Sequence, residues 1–479
     1  MVERSPSDIQ DILHPQYRPV VDFNDAKSTD ENGKSTDTGT AIRQTLETAD
    51  IKCGSLHFLG NRSDYDEYDG PFIPLYYCSV PIIAMERDEH QQSAYSQVHD
   101  AAKLGRLHDL PQLYVLTMPG VHPNEFVDAN IEMYTSHSRF FHSNVVAALA
   151  EIVIVNNNLT AKDASEISIA GLLHDSATVA GGDTTKMVDK KLFDEEKLVK
   201  RILEGEEMAT VLQENGTSPE RIQAIIDGDG QLGQILDFCD QFGYAVTDAY
   251  KAFGSYDELP AGKGVQIKEL LEHDPHLMDL IFSMKIDSAS GQLYCEDQDR
   301  LTRYLRLRAL LHHELYLDPN AQMVEIAVIV PILKKIWAEQ SGKVTSEKTI
   351  DIDFLLNNGL DQLKSVIAQR LDVSGGTTML NVHLAQQINE MDISFYEYQT
   401  PKQAEEYRDK IAKQGRVILG EADYTKGFNP RTNILVKTKN GELVPYAEAN
   451  PEETAKINDI VNAVKTIRIY HGKKEIEMN

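Results

Sequence analysis

The chain has 479 residues, 41% of them hydrophobic, which is enough for two or three domains around a sizeable core. Its formal charge of −28 and pI of about 4.9 exclude a broad nucleic-acid or anionic-membrane surface, because a protein that grips a phosphate backbone must present a net positive face. Only a local cluster of arginines and lysines, or a metal, would let such a chain hold a phosphate ester.

The start, MVERSPSDIQDILHP, is polar and carries no apolar core of signal-peptide length. Cys53, Cys78, Cys239 and Cys295 show no CxxC spacing, so reduced thiols and a cytoplasmic protein are expected. No stretch reaches the ~18 uncharged apolar residues of a membrane helix, and no membrane association is expected. Residues 1 to about 45 are polar, with a short echo at Lys27 to Asp37, and read as a flexible tail. Between Leu56 and Ala84 the run PFIPLYYCSVPIIA is apolar, β-branched and broken by prolines, which predicts extended structure or a short hairpin.

From His90 to about Arg370 the pattern is helical. Asn144 to Val155, Asp194 to Leu203, Gln234 to Phe253, Leu301 to Tyr316 and Gln322 to Ala338 all place apolar residues at three- and four-residue steps. After Gly375-Gly376 the character changes to short alternating runs (ISFYEY, RVILGEA, NILVKT, ELVPYAEA, IRIYH) separated by polar helices at Lys402 to Gln414 and Pro451 to Val464. The expected division is a tail over 1–45, a helical domain over 46–370 and a small C-terminal α+β domain over 371–479. No long-period repeat is present, which argues against a solenoid.

Ala161 to Asp183 organises the helical part. Thr160 and Asp163 have the spacing of a capping box, and Ile167, Ala170 and His174 share one helical face, so a buried helix ends in the pair His174-Asp175. His-Asp pairs also occur at His99, His108 and His273, but only this one closes a long apolar run. A buried carboxylate there needs a hydrogen-bonded partner or a cation. The preceding helix opens at Ser136 to Arg139 and carries His142. Further on, Asp240, Tyr244 and Asp248 recur at four-residue steps, as do Arg308, His312 and Tyr316, giving two polar stripes on otherwise apolar helices. Either stripe alone fits a solvated face. Both together suit a buried site with a few placed polar groups.

With these residues in place, the chain resembles the HD-domain metal-dependent phosphohydrolases, and most closely the deoxynucleoside triphosphate triphosphohydrolases. The likeness spans roughly Asp88 to Arg370 and rests on SRFFHS, LLHDSA and FCDQFGYAVTD. It implies an HD-domain helical bundle in which His142, His174, Asp175 and Asp240 ligate a divalent metal (manganese, iron, zinc or magnesium). It also implies that Arg139 contacts the triphosphate, that Tyr244 and Asp248 contact phosphate and sugar, and that Arg308, His312 and Tyr316 form a further substrate-binding element. Two imidazoles and two carboxylates suit a transition-type ion with open positions, and arginine forks match phosphate oxygens. A nucleotide is the implied substrate, and homo-oligomers are common in the family.

The chain departs from the family after the His-Asp pair. Thr178 and Asp183 stand where further histidines would fall, and Asp194-Glu195 where a His-Glu pair is expected. Asp183 can serve as the general acid if burial raises its pKa, can ligate a second metal, or can be no more than the turn and helix cap that Gly181-Gly182-Asp183 suggests. Three functions therefore stay open: a nucleotide triphosphohydrolase, another phosphomonoesterase or phosphodiesterase, and a nucleotide-binding regulatory protein with weak or lost activity.

Overall fold

The computed structural model describes residues 56–58, 72–74, 83–86, 89–110, 138–249, 264–273, 277–340, 343 and 350–478. The tail expected over 1–45 lies outside them. The segment from Leu56 through the proline-broken run contributes three short strands, β1 (Leu56–Phe58), β2 (Phe72–Pro74) and β3 (Ile83–Glu86), in one antiparallel sheet of order β1-β3-β2. Helix α1 (Glu89–Ala101) and a 3-10 turn (Leu104–Asp109) lead toward the central helix α2 (Arg139–Asn156). Helix α2 is predominantly apolar and 94% buried, so it sits inside other helices, and the polar residues it carries must find partners there. The Ser138 hydroxyl caps it by accepting from the Phe141 N–H at 3.0 Å.

Helix α3 (Ala161–Leu173) starts in the capping box that the spacing predicts. Asp163 N–H donates to the Thr160 hydroxyl at 3.1 Å, and Thr160 N–H donates back to the Asp163 carboxylate at 3.0 Å. The helical run continues through α4 (Gly182–Lys186), α5 (Glu195–Leu203), α6 (Glu206–Glu214), α7 (Pro219–Ile226), α8 (Gly230–Ala249) and α9 (Val265–His273). Helices α3 and α8 make the main contacts with α2.

Gly171 lets α3 cross close to α2, because a Cβ there would stand 2.7 Å from the Cα of Ala147. Gly171→Ala is expected to lower stability by about 1–3 kcal/mol. Since α2 and α3 carry His142 and His174, it should weaken metal uptake as well. Thermal denaturation with and without manganese reads both effects, and an unchanged midpoint would contradict the close crossing.

The helical stretch contains one hairpin that periodicity did not disclose, β4 (Met284–Ile286) and β5 (Leu293–Cys295), whose strands are too short to show an alternation. Helix α10 (Gln298–Leu311) then widens into a π segment (His312–Tyr316). Helix α11 (Pro319–Val324), a second π segment (Glu325–Ile329) and α12 (Val330–Gln340) come next, with α13 (Ile352–Asn357) and α14 (Leu360–Arg370) closing the run.

The change to strands comes one helix later than expected, since α15 (Thr377–Met391) begins directly after Gly376. Gly375 and Gly376, at φ 95° and 63°, mark a break between two helices rather than between a helix and a strand region. Then come β6 (Ser394–Tyr398), α16 (Pro401–Lys413), β7 (Val417–Asp423), β8 (Leu435–Lys437), β9 (Leu443–Pro445), α17 (Tyr446–Ala449), α18 (Pro451–Ala463) and β10 (Ile467–Gly472). Strand β10, buried at all six positions, is central in the antiparallel sheet β6-β10-β7. Strand β8 pairs in parallel with β5, so a third sheet, β4-β5-β8-β9, joins the hairpin of the helical stretch to the C-terminal region. The chain is mainly α with a C-terminal α+β region, and one apolar cluster runs from α2 through α10 to Tyr446 and Tyr470.

Candidate metal centre

Helix α2 presents His142 on its first turn, α3 ends in His174-Asp175, and α8 carries Asp240. The Nε2 atoms of the two histidines are 3.3 Å apart. Oδ1 of Asp240 lies 2.9 Å from that of His142 and 3.5 Å from that of His174, and Oδ2 of Asp175 is 3.9 Å from each. Donors around one ion with bonds of about 2.0–2.2 Å are separated by roughly these distances. His142, His174 and Asp175 bring their ligand atoms within 4.8 Å of one another, a group able to hold a metal ion, and Asp240 joins it through both imidazoles.

The orientation of His174 supports that use. Its Nδ1 donates to the Gly171 carbonyl at 2.7 Å, since that oxygen can only accept, and Nε2 is the ring nitrogen left facing the other candidate ligand atoms. Burial lowers the His174 pKa, but the Asp175 and Asp240 carboxylates outweigh it and push it up to about 9. Burial also opposes ionisation of Asp175 and Asp240. Arg139 and the imidazoles hold the first below the usual carboxylate range, and the two imidazoles hold the second there. The cluster is thus built around positive charge, and a donor set of two nitrogens and two carboxylates fits a divalent transition ion.

Arg139, the first residue of α2, is buried and bridges two carboxylates. Its Nη1 donates to Asp175 Oδ2 at 2.9 Å and its Nη2 to Asp183 Oδ2 at 3.0 Å, while Nε is buried without a hydrogen-bond partner among the described residues. Asp183 opens α4 behind Gly181 and Gly182, whose φ values of 86° and 52° turn the chain toward Arg139. The Asp183 side chain is 61% exposed, so contact with Arg139 rather than burial defines its setting. Behind it, Glu195 accepts from Lys186 at 3.0 Å, leaves Oε1 buried and unpartnered, and has its pKa pushed up by burial and then by Asp183. Thr178 is fully buried, its hydroxyl unpartnered.

The two polar stripes meet beside this cluster. The Tyr244 ring lies 6.5 Å from that of His142 and 6.1 Å from that of Tyr316. The Tyr316 hydroxyl donates to Asp248 at 2.7 Å. Arg308 is buried and donates to the Asn429 carbonyl. The His312 ring packs edge-on against Tyr316 at 5.0 Å, and burial followed by the Arg308 charge lowers its pKa to about 3, leaving it neutral. All the residues singled out in the two stripes therefore come together.

Burial pushes the Asp248 pKa up to about 7, against the opposing effects of the Tyr316 bond and Arg139. The folded chain holds this proton where the unfolded chain has released it, so stability falls as pH rises from about 4 to 7. Asp248→Asn is expected to match the wild-type midpoint near pH 4 and to exceed it near pH 8. Parallel melting curves across that range would contradict the assignment.

No family model matches the chain. An uncharacterized protein of Mycoplasma genitalium is 22% identical over 367 residues, covering 67% of this chain and 84% of that one. Among solved structures, a hypothetical protein from Aquifex aeolicus aligns at TM-score 0.55 and 16% identity over 85% of this chain and 96% of its own. A phosphohydrolase from Bacteroides thetaiotaomicron aligns at TM-score 0.53 and 16% identity over 79% and 95%. The fold is shared with a phosphohydrolase.

Residues outside the sequence pattern complete the surroundings. An opening of about 460 Å³ reaches the cluster at His174 and Asp240, with Lys197 and Lys200 of α5 and Asp237 of α8 on its walls. Phe428, Asn429 and Arg431 arrive from the C-terminal region. Their stretch, GFNPR, reads as a turn, and nothing periodic in it marks a site. The lysines of α5 were visible only as ordinary helix charges.

Proposed function

We propose that this chain is a metal-dependent phosphohydrolase acting on nucleotides, with deoxynucleoside triphosphates as the substrate class. The observation that supports this reading is the grouping of His142, His174 and Asp175, with Asp240 against both imidazoles and the buried Arg139 on Asp175, on a fold shared with a phosphohydrolase. A divalent ion held by these four residues would supply Lewis acidity, drawing charge from a phosphoryl oxygen and making a water more acidic. Arg139 and Arg308 bind phosphate oxygens by forked N–H donors, which gives a chain of charge −28 a local place for a polyanion. Tyr244, Asp248, His312 and Tyr316 line the sugar side. Asp183, exposed and tied to Arg139, orients that guanidinium rather than serving as the buried acid the sequence left open, and Glu195, whose pKa burial pushes up, stands behind it as the nearer candidate for proton donation.

One observation favours a second reading. Buried Thr178 one turn after His174 cannot donate a proton as a histidine would, which suits a nucleotide-binding regulatory protein with weak chemistry. Manganese-loaded protein incubated with the four deoxynucleoside triphosphates separates the readings by product mass. Nucleoside plus inorganic triphosphate supports the proposal. A nucleoside mono- or diphosphate indicates another phosphoesterase, and a thermal shift without product indicates a sensor.

A further inference from the structure

The loop between β7 and β8 touches three elements of the site within the span Gly427–Arg431. The Phe428 ring lies flat on His312, with 4.2 Å between ring centres and 9° between planes. The Asn429 carbonyl accepts from Nη1 of Arg308. Arg431 donates through Nε to Gln241 at 2.6 Å and through Nη2 to Asp237, the residues of α8 on either side of Asp240. The loop is itself fixed. Gly427 N–H donates to the Tyr424 carbonyl at 2.7 Å, Arg431 N–H to the Asn429 side chain at 2.9 Å, and Ile434 N–H to the Arg431 carbonyl at 3.2 Å. Arg431 holds φ at 62°, a conformation a non-glycine residue keeps only where its surroundings impose it.

What this loop holds is incomplete by itself. Among the described residues, Nε of Arg308 and Nε2 of His312, one turn apart on the same helix, are both buried with no hydrogen-bond partner. Orphaned buried polar atoms are disfavoured by about 1–3 kcal/mol each, so two of them one turn apart mark a place for an acceptor and a polar ligand group. The Asn429 carbonyl accepts from Nη1 of Arg308 and leaves Nε as a donor for a phosphate oxygen. At the opening, Asp237 stands with Asp240 on the wall, and the Arg431 guanidinium cancels a charge that would repel an incoming polyanion.

We propose that Gly427–Arg431 is a working part of the site: it orients Arg308 and His312 toward the phosphate and sugar of a bound ester, and through Arg431 it neutralises Asp237 at the opening. Phe428, Asn429 and Arg431 are positioning residues in this scheme, which rests on the reading of the site as one for phosphate esters. The C-terminal region is therefore needed for substrate binding and not for metal binding.

The test uses full-length, metal-loaded protein carrying Phe428→Ala, Phe428→Tyr, Arg431→Gly or Arg431→Lys. Glycine suits the backbone at position 431, so Arg431→Gly removes the guanidinium without adding strain. Calorimetric titration with magnesium tripolyphosphate, KM and kcat for the nucleotide turned over, and metal content are read for each. Phe428→Ala and Arg431→Gly are expected to weaken tripolyphosphate binding and raise KM by about tenfold, with kcat within about threefold and metal content unchanged. Phe428→Tyr and Arg431→Lys should recover most of the loss. Binding and KM within twofold of wild type would overturn the proposal, and so would a loss of affinity that tracks a loss of metal. If wild-type protein hydrolyses no nucleotide, the functional reading fails instead, and the tripolyphosphate titration still decides the role of the loop.

Discussion

Asp240→Ala is expected to leave the fold intact while metal binding and phosphate-ester hydrolysis are lost together, the rate by about three orders of magnitude or more. Asp240 is suited to this experiment. Its side chain is 35% exposed, at the opening rather than in the core, so its removal creates no enclosed cavity. Its Oδ1 is nonetheless the carboxylate oxygen closer to both imidazoles, at 2.9 Å and 3.5 Å, so without it His142 and His174 keep only the Asp175 carboxylate, 3.9 Å from each. Metal analysis, circular dichroism and phosphate release on one preparation check the three parts. A variant that keeps its metal, or hydrolyses at the wild-type rate, would remove Asp240 from the centre.

Arg139→Ala should have the largest effect on stability. This guanidinium is buried between Asp175 and Asp183, and its removal leaves the Asp175 carboxylate buried with only the imidazoles to balance it. Removing one partner of a buried pair is destabilising by about 3–5 kcal/mol. A cation on the other side of Asp175 offers the same compensation, so the drop in melting temperature should be larger without manganese than with it. Activity should fall by about a hundredfold or more, and Arg139→Lys should restore little, because one ammonium cannot span two carboxylates as a fork does. An equal drop in both conditions would mean that Asp175 is not shared between the arginine and a metal.

The parts of this arrangement that were legible in the sequence are those carried by regular helices. Thr160 and Asp163 announce the start of α3, its apolar face announces the end at His174-Asp175, and four-residue steps align Asp240, Tyr244 and Asp248 on α8. The hairpin β4–β5 was not legible, because strands of three residues carry no measurable period. Helix α15 was hidden behind Gly375-Gly376, since paired glycines signal a break without specifying whether a helix or a strand comes after it. The place of Phe428 on His312 depends on how the C-terminal region folds back, a long-range contact that local spacing does not encode. The same holds for Arg139, whose tie to Asp183 closes over 44 residues of chain.

The central claim, that side chains from α2, α3 and α8 share one cation, is tested most directly by X-ray absorption on manganese-loaded protein. The account predicts one ion per chain, with nitrogen and oxygen neighbours at about 2.1 Å and outer-shell scattering from imidazole rings. A protein that takes up no ion, or an ion surrounded by oxygen alone with no imidazole signal, would contradict it.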